Sequence, residues 1–218
     1  MKDNCSWQRG IQNKTYKEDI SMKSIFILCG GYEWKSELAM NKLAKFVLNK
    51  FSKPKILDVW FAMKEEKYRK YDDIFVEIYK NNQMLFERKI ATQENFIEEC
   101  KWADVINIHG GSSDLLFPLM KKYDLSVLDE DKIIIGSSAG AKFLSSYSPN
   151  WDGSGLREGS RILPLNVIVH YGDDSYLEGD ANWSDVAMAM TYSPIGFSVI
   201  LKEDDIRAFD KDGIEISI

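Results

Sequence analysis

Histidine is nearly absent: the chain has two, His109 and His170, in 218 residues. Any reaction that needs an imidazole base must draw on one of them. A histidine-rich metal site is excluded. Cysteine is scarce as well, with Cys5, Cys29 and Cys100 scattered along the chain. An odd number at such spacing builds neither a disulfide framework nor a thiolate metal site, and it fits a reducing cytoplasm. No apolar run reaches the roughly 20 residues that cross a bilayer, so no membrane partner is expected. Positive charge is not in excess. Lysine and arginine number 28 against 34 aspartates and glutamates, a formal charge of −6, which argues against a nucleic-acid footprint.

What remains is an ordinary soluble composition, 44% hydrophobic and 28% charged, in a chain long enough for one α/β domain with a real core. The first 21 residues are polar and lack the apolar middle of a secretory signal. They read as an arm, and Met22 as an alternative start. Residues 22–218 read as a single domain without internal repeats or low-complexity tracts.

From Met22 onward, strand-like and helix-like segments alternate. SIFILCGG, 24–31, is a buried strand ending in glycines. Glu37 to Phe51 carries apolar residues at helical spacing, and Pro54 follows it. KILDVWFA is the second strand, and Lys64 to Asn81 a charged helix. MLFERKIA, 84–91, is a weaker strand pattern, and Gln93 to Trp102 a helix. VINIHGG and KIIIGSS are strands that run into small-residue turns. The remainder, NVIVHY, FSVILKEDDIRAFD and GIEISI, gives short strands with one helix near Val186. Such alternation predicts a three-layer α/β fold, a mostly parallel sheet with helices on both faces. Sites in these sheets lie at the carboxyl ends of strands, where the turns at Gly110 and Gly136 fall.

Gly136-Ser137-Ser138-Ala139-Gly140 has the spacing Gly-x-Ser-x-Gly. In a sharp strand-to-helix turn the middle serine is held out of the sheet end, above backbone N–H groups that favour developing negative charge. That makes Ser138 a candidate nucleophile and leaves Ser137 to pack aside. The five-residue pattern alone also describes a plain structural turn. A base would come from His109 or His170, both at strand ends. Oxyanion donors would come from the Ala139 N–H and from the Gly110-Gly111 turn. An acid to orient the histidine would be Asp152, in the turn-rich NWDGSG, or Glu203, after FSVIL.

VINIHGGSSDLL, KIIIGSSAGAKFL, NVIVHY and SVILKEDDI follow one another as in the alpha-aspartyl dipeptidases, the peptidase E family, with cyanophycinase a relative. The resemblance spans residues 105 to 210, about half the chain. It implies a parallel-sheet α/β domain similar to class I glutamine amidotransferases (flavodoxin-like), with serine in place of their cysteine. It also implies serine peptidase chemistry on small peptides without metal or other cofactor. By position it marks Ser138 as nucleophile, His170 as base, Glu203 in preference to Asp152 as the orienting acid, and Gly111 with Ala139 at the oxyanion position.

Two departures follow. The family turn Gly-Gly-Gly-Asn reads His109-Gly110-Gly111-Ser112 here. The segment from Tyr171 to Leu201 contains no lysine or arginine, whereas aspartate-specific members carry basic residues after the base histidine. A substrate carboxylate calls for such a partner. The expected substrate therefore has a neutral or cationic residue in place of aspartate, unless a basic group such as Lys142 arrives from elsewhere. Partners expected are a small peptide and, at most, a second copy of the chain in a homodimer.

Two rival readings stand. One is a non-catalytic binding or regulatory protein on the same fold. The other is an α/β-hydrolase esterase, disfavoured because only 32 positions separate Ser138 from His170.

Overall fold

The computed structural model describes residues 24–218. The arm read over residues 1–21, the alternative start at Met22 and Cys5 lie outside the described residues. Five parallel strands form the centre of the larger sheet: β1 (Ile25–Cys29), β2 (Lys55–Val59), β3 (Glu87–Ile90), β4 (Val105–Ile108) and β5 (Ile133–Ser137). They lie in the order β1-β5-β4-β2-β3. Outside β1 run two antiparallel strands, β10 (Ile206–Phe209) and then β11 (Glu215–Ile216).

The period-two geometry of β1 sets up two cores. Phe26 and Leu28 face one apolar cluster, and Ile25, Ile27 and Cys29 face the other. The second cluster is closed by α1 (Glu37–Lys50) and α2 (Glu65–Asn81), through Met40, Leu43, Val47, Phe75 and Tyr79. The first is closed by α3 (Phe96–Trp102), α4 (Ser113–Met120) and α5 (Ala139–Leu144). These are the three layers that the alternation predicts.

Local chemistry explains where elements begin. Ser36 caps α1, its Oγ accepting from the Ala39 N–H at 3.3 Å. The helix expected from Gln93 begins only at Phe96. Thr92 and Asn95 exchange side-chain-to-backbone bonds of 2.7 and 3.3 Å, a reciprocal turn that holds residues 93–95 out of the helix. The strand expected over 84–91 is confined to Glu87–Ile90 at the sheet edge.

The second half of the chain differs from a single-sheet reading. Four short strands form a separate sheet in the order β7-β6-β8-β9. They are β6 (Tyr147–Pro149), β7 (Leu156–Glu158), β8 (Asn166–Ile168) and β9 (Ser198–Ile200). The first two carry no alternating pattern, and β6 contains a proline. The helix near Val186 is α6 (Trp183–Ala189), with a full capping box between Asn182 and Asp185. Val167 and Val199 of the small sheet belong to the same core as Phe26 and Leu28, so the two sheets share one interior.

Candidate active site

β5 ends at Ser137, and α5 starts at Ala139. Ser138 is the joint, with φ 48° and ψ −106°. A non-glycine residue there costs on the order of 1–3 kcal/mol and persists only when its surroundings fix it. The surroundings do so by closeness. A Cβ on Gly140 would stand 2.1 Å from the Ile108 carbonyl oxygen, and one on Gly136 would stand 2.8 Å from the Ala141 nitrogen. Small residues flank Ser138 because α5 and β4 leave no room for side chains.

Ser138 Oγ lies 2.7 Å from His170 Nε2, and His170 Nδ1 lies 2.9 Å from Glu203 Oε1. A serine hydroxyl that donates to Nε2 requires the proton on Nδ1, where it is donated to Glu203. His170 follows β8 and has φ 55°. Its own N–H donates to the Gly30 carbonyl at 3.1 Å. Glu203 follows β9 in the neighbouring turn. The small sheet therefore delivers the histidine and the acid, and the large sheet delivers the serine.

Burial, reinforced by the nearby Lys142 charge, pushes His170 down to about 4 against a weaker pull from Asp173. The imidazole is neutral at physiological pH, as a proton acceptor must be. Burial, then the Asp173 charge, pushes Glu203 up to about 7. Its Oε2 is buried without a hydrogen-bond partner among the described residues.

Asp152 is not brought to His170. Its Oδ1 accepts from the Ser154 N–H at 2.9 Å and closes a surface turn, and the Ser154 hydroxyl, then its N–H, hold the carboxyl below the ordinary value. Gly110 and Gly111 lie beside the serine. A Cβ on Gly110 would stand 3.1 Å from Ser138 Cβ. Gly111 has φ 140°, and a Cβ there would meet the Ala62 carbonyl oxygen at 2.5 Å. Among the described residues neither glycine N–H donates to a backbone carbonyl. Ala139 opens α5, so its N–H has no acceptor within the helix.

His109 sits apart from Ser138's relay. It is buried, its Nε2 is 2.6 Å from Asp58 Oδ1, and its ring stacks on Trp60 at 3.5 Å and 3°. Asp58 is also held by Arg88 at 2.5 Å and by Asn107 at 3.2 Å, and Arg88 continues to Asp72. Although burial pushes Asp58 up, the His109 and Arg88 contacts hold it below its ordinary value. This network braces the floor of the site.

Several site residues carry no motif in the sequence. Gly31, φ 134°, lets the chain pass the imidazole, since a Cβ there would stand 2.0 Å from His170 Cε1. Tyr176 stacks on His170 at 3.8 Å and 11°. Glu33, buried, accepts from Ser137 Oγ at 2.9 Å, and burial raises its carboxyl. The only signal for this group was the pair of glycines closing SIFILCGG.

No family model matches the chain, and no curated protein matches it. Solved structures do match. The crystal structure of a peptidase from an acI-B1 actinobacterium superposes with TM-score 0.64 at 20% identity, covering 87% of this chain and 84% of that one. A candidate peptidase E protein from Listeria monocytogenes EGD-e superposes with TM-score 0.59 at 13% identity, covering 90% of this chain and 99% of that one. This chain has the peptidase E fold. On the peptidase E fold the α/β-hydrolase alternative falls away. In this chain the stretch between Ser138 and His170 holds only α5 and three strands of three residues each. Among the described residues no helix is long and apolar enough to cross a membrane, and no group of histidine, cysteine, aspartate and glutamate forms a metal site.

Proposed function

We propose that this chain is a serine peptidase that hydrolyses small peptides through an acyl-enzyme. The observation that carries the reading is the relay from Ser138 Oγ through His170 to Glu203, at 2.7 and 2.9 Å, on a strained strand-to-helix joint. The peptidase names of its structural neighbours agree with it.

His170 Nε2 takes the Ser138 proton as Oγ attacks the scissile carbonyl carbon. The oxyanion is held by the N–H groups of Ala139 and of the Gly110-Gly111 turn. Glu203 stabilises the imidazolium. His170 then gives its proton to the leaving amine, the C–N bond breaks, and the acyl group remains on Oγ. Water, deprotonated by His170, releases it by the reverse sequence.

Aspartate is not the preferred N-terminal residue in this reading. The cavity of about 180 Å³ beside Ser138 is lined by Tyr32, Trp34, Trp60, Tyr71 and Phe75, with Glu33 as its carboxylate and no lysine or arginine in its wall. A panel of dipeptides differing at the N-terminal residue tests this. Aromatic or cationic residues should exceed aspartate in kcat/KM, and Asp-Leu as the best substrate would overturn it. Intact mass after fluorophosphonate treatment tests the nucleophile, with one adduct expected on the native chain and none on Ser138→Ala.

A further inference from the structure

Ser138 opens onto a second cavity, of about 400 Å³, on the side away from Glu33. Lys142 stands in its wall, one helical turn past the nucleophile, its N–H donating to the Ser138 carbonyl at 2.9 Å. The lysine is 6% exposed. Its ammonium lies 4.4 Å from the centre of the Trp151 ring. Among the described residues it makes no salt bridge and no hydrogen bond to a side chain or carbonyl. The carboxylates around this cavity, Asp114, Asp152 and Glu178, are all exposed. Asp114 is taken by Arg157 at 2.5 Å, and Asp152 by its own turn.

An isolated buried ammonium is costly unless it meets an opposite charge. The ring face of Trp151 offsets part of that cost. Burial, then the Arg157 charge, pushes Lys142 down to about 8 against weaker pulls from the exposed Asp114 and Glu178, so it still carries its proton at neutral pH. A cation kept charged and unpartnered beside a nucleophile is a site for an anion that arrives with the substrate.

The signs on the two sides of Ser138 say which anion. Glu33 is the acid of the aromatic cavity, and Lys142 is the buried cation of the other. Lys35 does not break this pattern, since it lies outside the aromatic cavity over the Tyr32 ring at 3.6 Å. A free dipeptide has the same polarity, an ammonium before the scissile bond and a carboxylate after it. That carboxylate follows the scissile carbonyl by one residue, about 3.3–3.6 Å of chain. Lys142 lies one turn into α5 and shares the wall of this cavity with Ser138, within reach of a carboxylate one residue past the scissile carbonyl.

Resting on the peptidase reading, we infer that Lys142 binds the C-terminal carboxylate of the substrate's leaving residue, which makes the site selective for free dipeptides. Trp151 covers the aliphatic part of that residue. A longer peptide puts an uncharged amide where the carboxylate belongs and leaves the ammonium unpaired, so length is read as charge.

The experiment measures binding to Ser138→Ala, which does not depend on turnover. Calorimetry with Phe-Leu and with Phe-Leu-amide should show the free acid binding at least tenfold tighter. Adding Lys142→Met should weaken Phe-Leu about tenfold and bring the ratio below threefold. Lys142→Gln is the second charge-removing variant should the first not fold, as a thermal melt will show. Equal binding of acid and amide, no binding of either, or a preference that survives both lysine variants overturns the inference. So does Asp-Leu-amide binding as tightly as Phe-Leu in a Lys142-dependent way, because the site would then read an acidic side chain. A fluorophosphonate adduct at Ser138 stands or falls separately, so failure of the carboxylate site is distinguishable from failure of the peptidase reading.

Discussion

Ser138 and Glu203 carry the sharpest residue-scale tests. Replacing Ser138 by alanine should lower peptide hydrolysis by about 10³-fold or more, as in other serine triads, and a stopped assay on Phe-Leu measures it. In the proposed mechanism Glu203 carries the pH dependence. Its carboxyl is pushed up to about 7, and His170 down to about 4. Above about pH 4 the imidazole is already neutral and able to accept a proton, so its own titration is not what limits the rate near neutrality. The carboxylate that stabilises the imidazolium forms only as the pH rises through about 7. Therefore kcat/KM should climb across that value. Glu203→Gln should remove the climb and lower the rate by about 10²–10⁴-fold. A profile that is flat from pH 5 to 9 in the native chain would contradict it. Asp152→Asn, whose side chain closes a turn and makes no hydrogen bond to the imidazole, should change kcat/KM by less than about twofold. Two acids fitted the sequence equally well by type. Only the small sheet, which carries residue 203 to the histidine, separates them.

The strand-to-helix joint and the buried ion network are element-scale devices. Gly140→Ala places a methyl 2.1 Å from a backbone carbonyl, which cannot move aside as a side chain can. The variant should lose fluorophosphonate labelling and melt several degrees lower, because α5 must lift off β4. Asp58→Ala should destabilise the fold by about 1–3 kcal/mol, since it leaves the buried His109 without its partner while Arg88 keeps Asp72. Chemical denaturation measures this. Because the folded-state value of Asp58 is depressed, its contribution is fully present above about pH 4 and is lost as the pH falls further. The parallel strands and their helices were legible in the sequence, since long apolar runs and helical periodicity survive any tertiary context: Glu37 to Phe51 reads as the helix found at Glu37–Lys50. The strands β6 and β7 were not, because three residues hold no period. Nor was the role of Gly30 and Gly31, which is visible only once His170 is packed against them.

At the scale of the molecule, the site is a seam between two sheets. Ser138 belongs to the large sheet, while His170 and Glu203 leave the small one, and a shared core and backbone bonds hold the two in register. Gly30 at the end of β1 accepts from the His170 N–H at 3.1 Å, and a Cβ on Gly30 would stand 1.7 Å from the Lys202 carbonyl oxygen. Leu201, fully buried, anchors the turn that carries Glu203. Its N–H donates to the Ile168 carbonyl at 2.9 Å, and its carbonyl accepts from the Tyr171 N–H at 3.0 Å. A displacement of about 1 Å between reacting groups costs about 10²-fold, so the rate is a measure of how well the sheets are seated. Leu201→Ala should cost about 2–5 kcal/mol, with the melting temperature falling by about 2–4 °C for each kcal/mol in a chain of this size. Labelling of Ser138 at 25 °C, where the variant is still folded, should slow by more than about tenfold because the cavity lets Glu203 and His170 shift together. Val47→Ala, in the core on the opposite face of the large sheet, is the control: its stability should also fall, but its labelling rate should not. Equal rates in both variants would mean that the relay is held by the local turns alone, and that the shared interior contributes stability without setting the geometry.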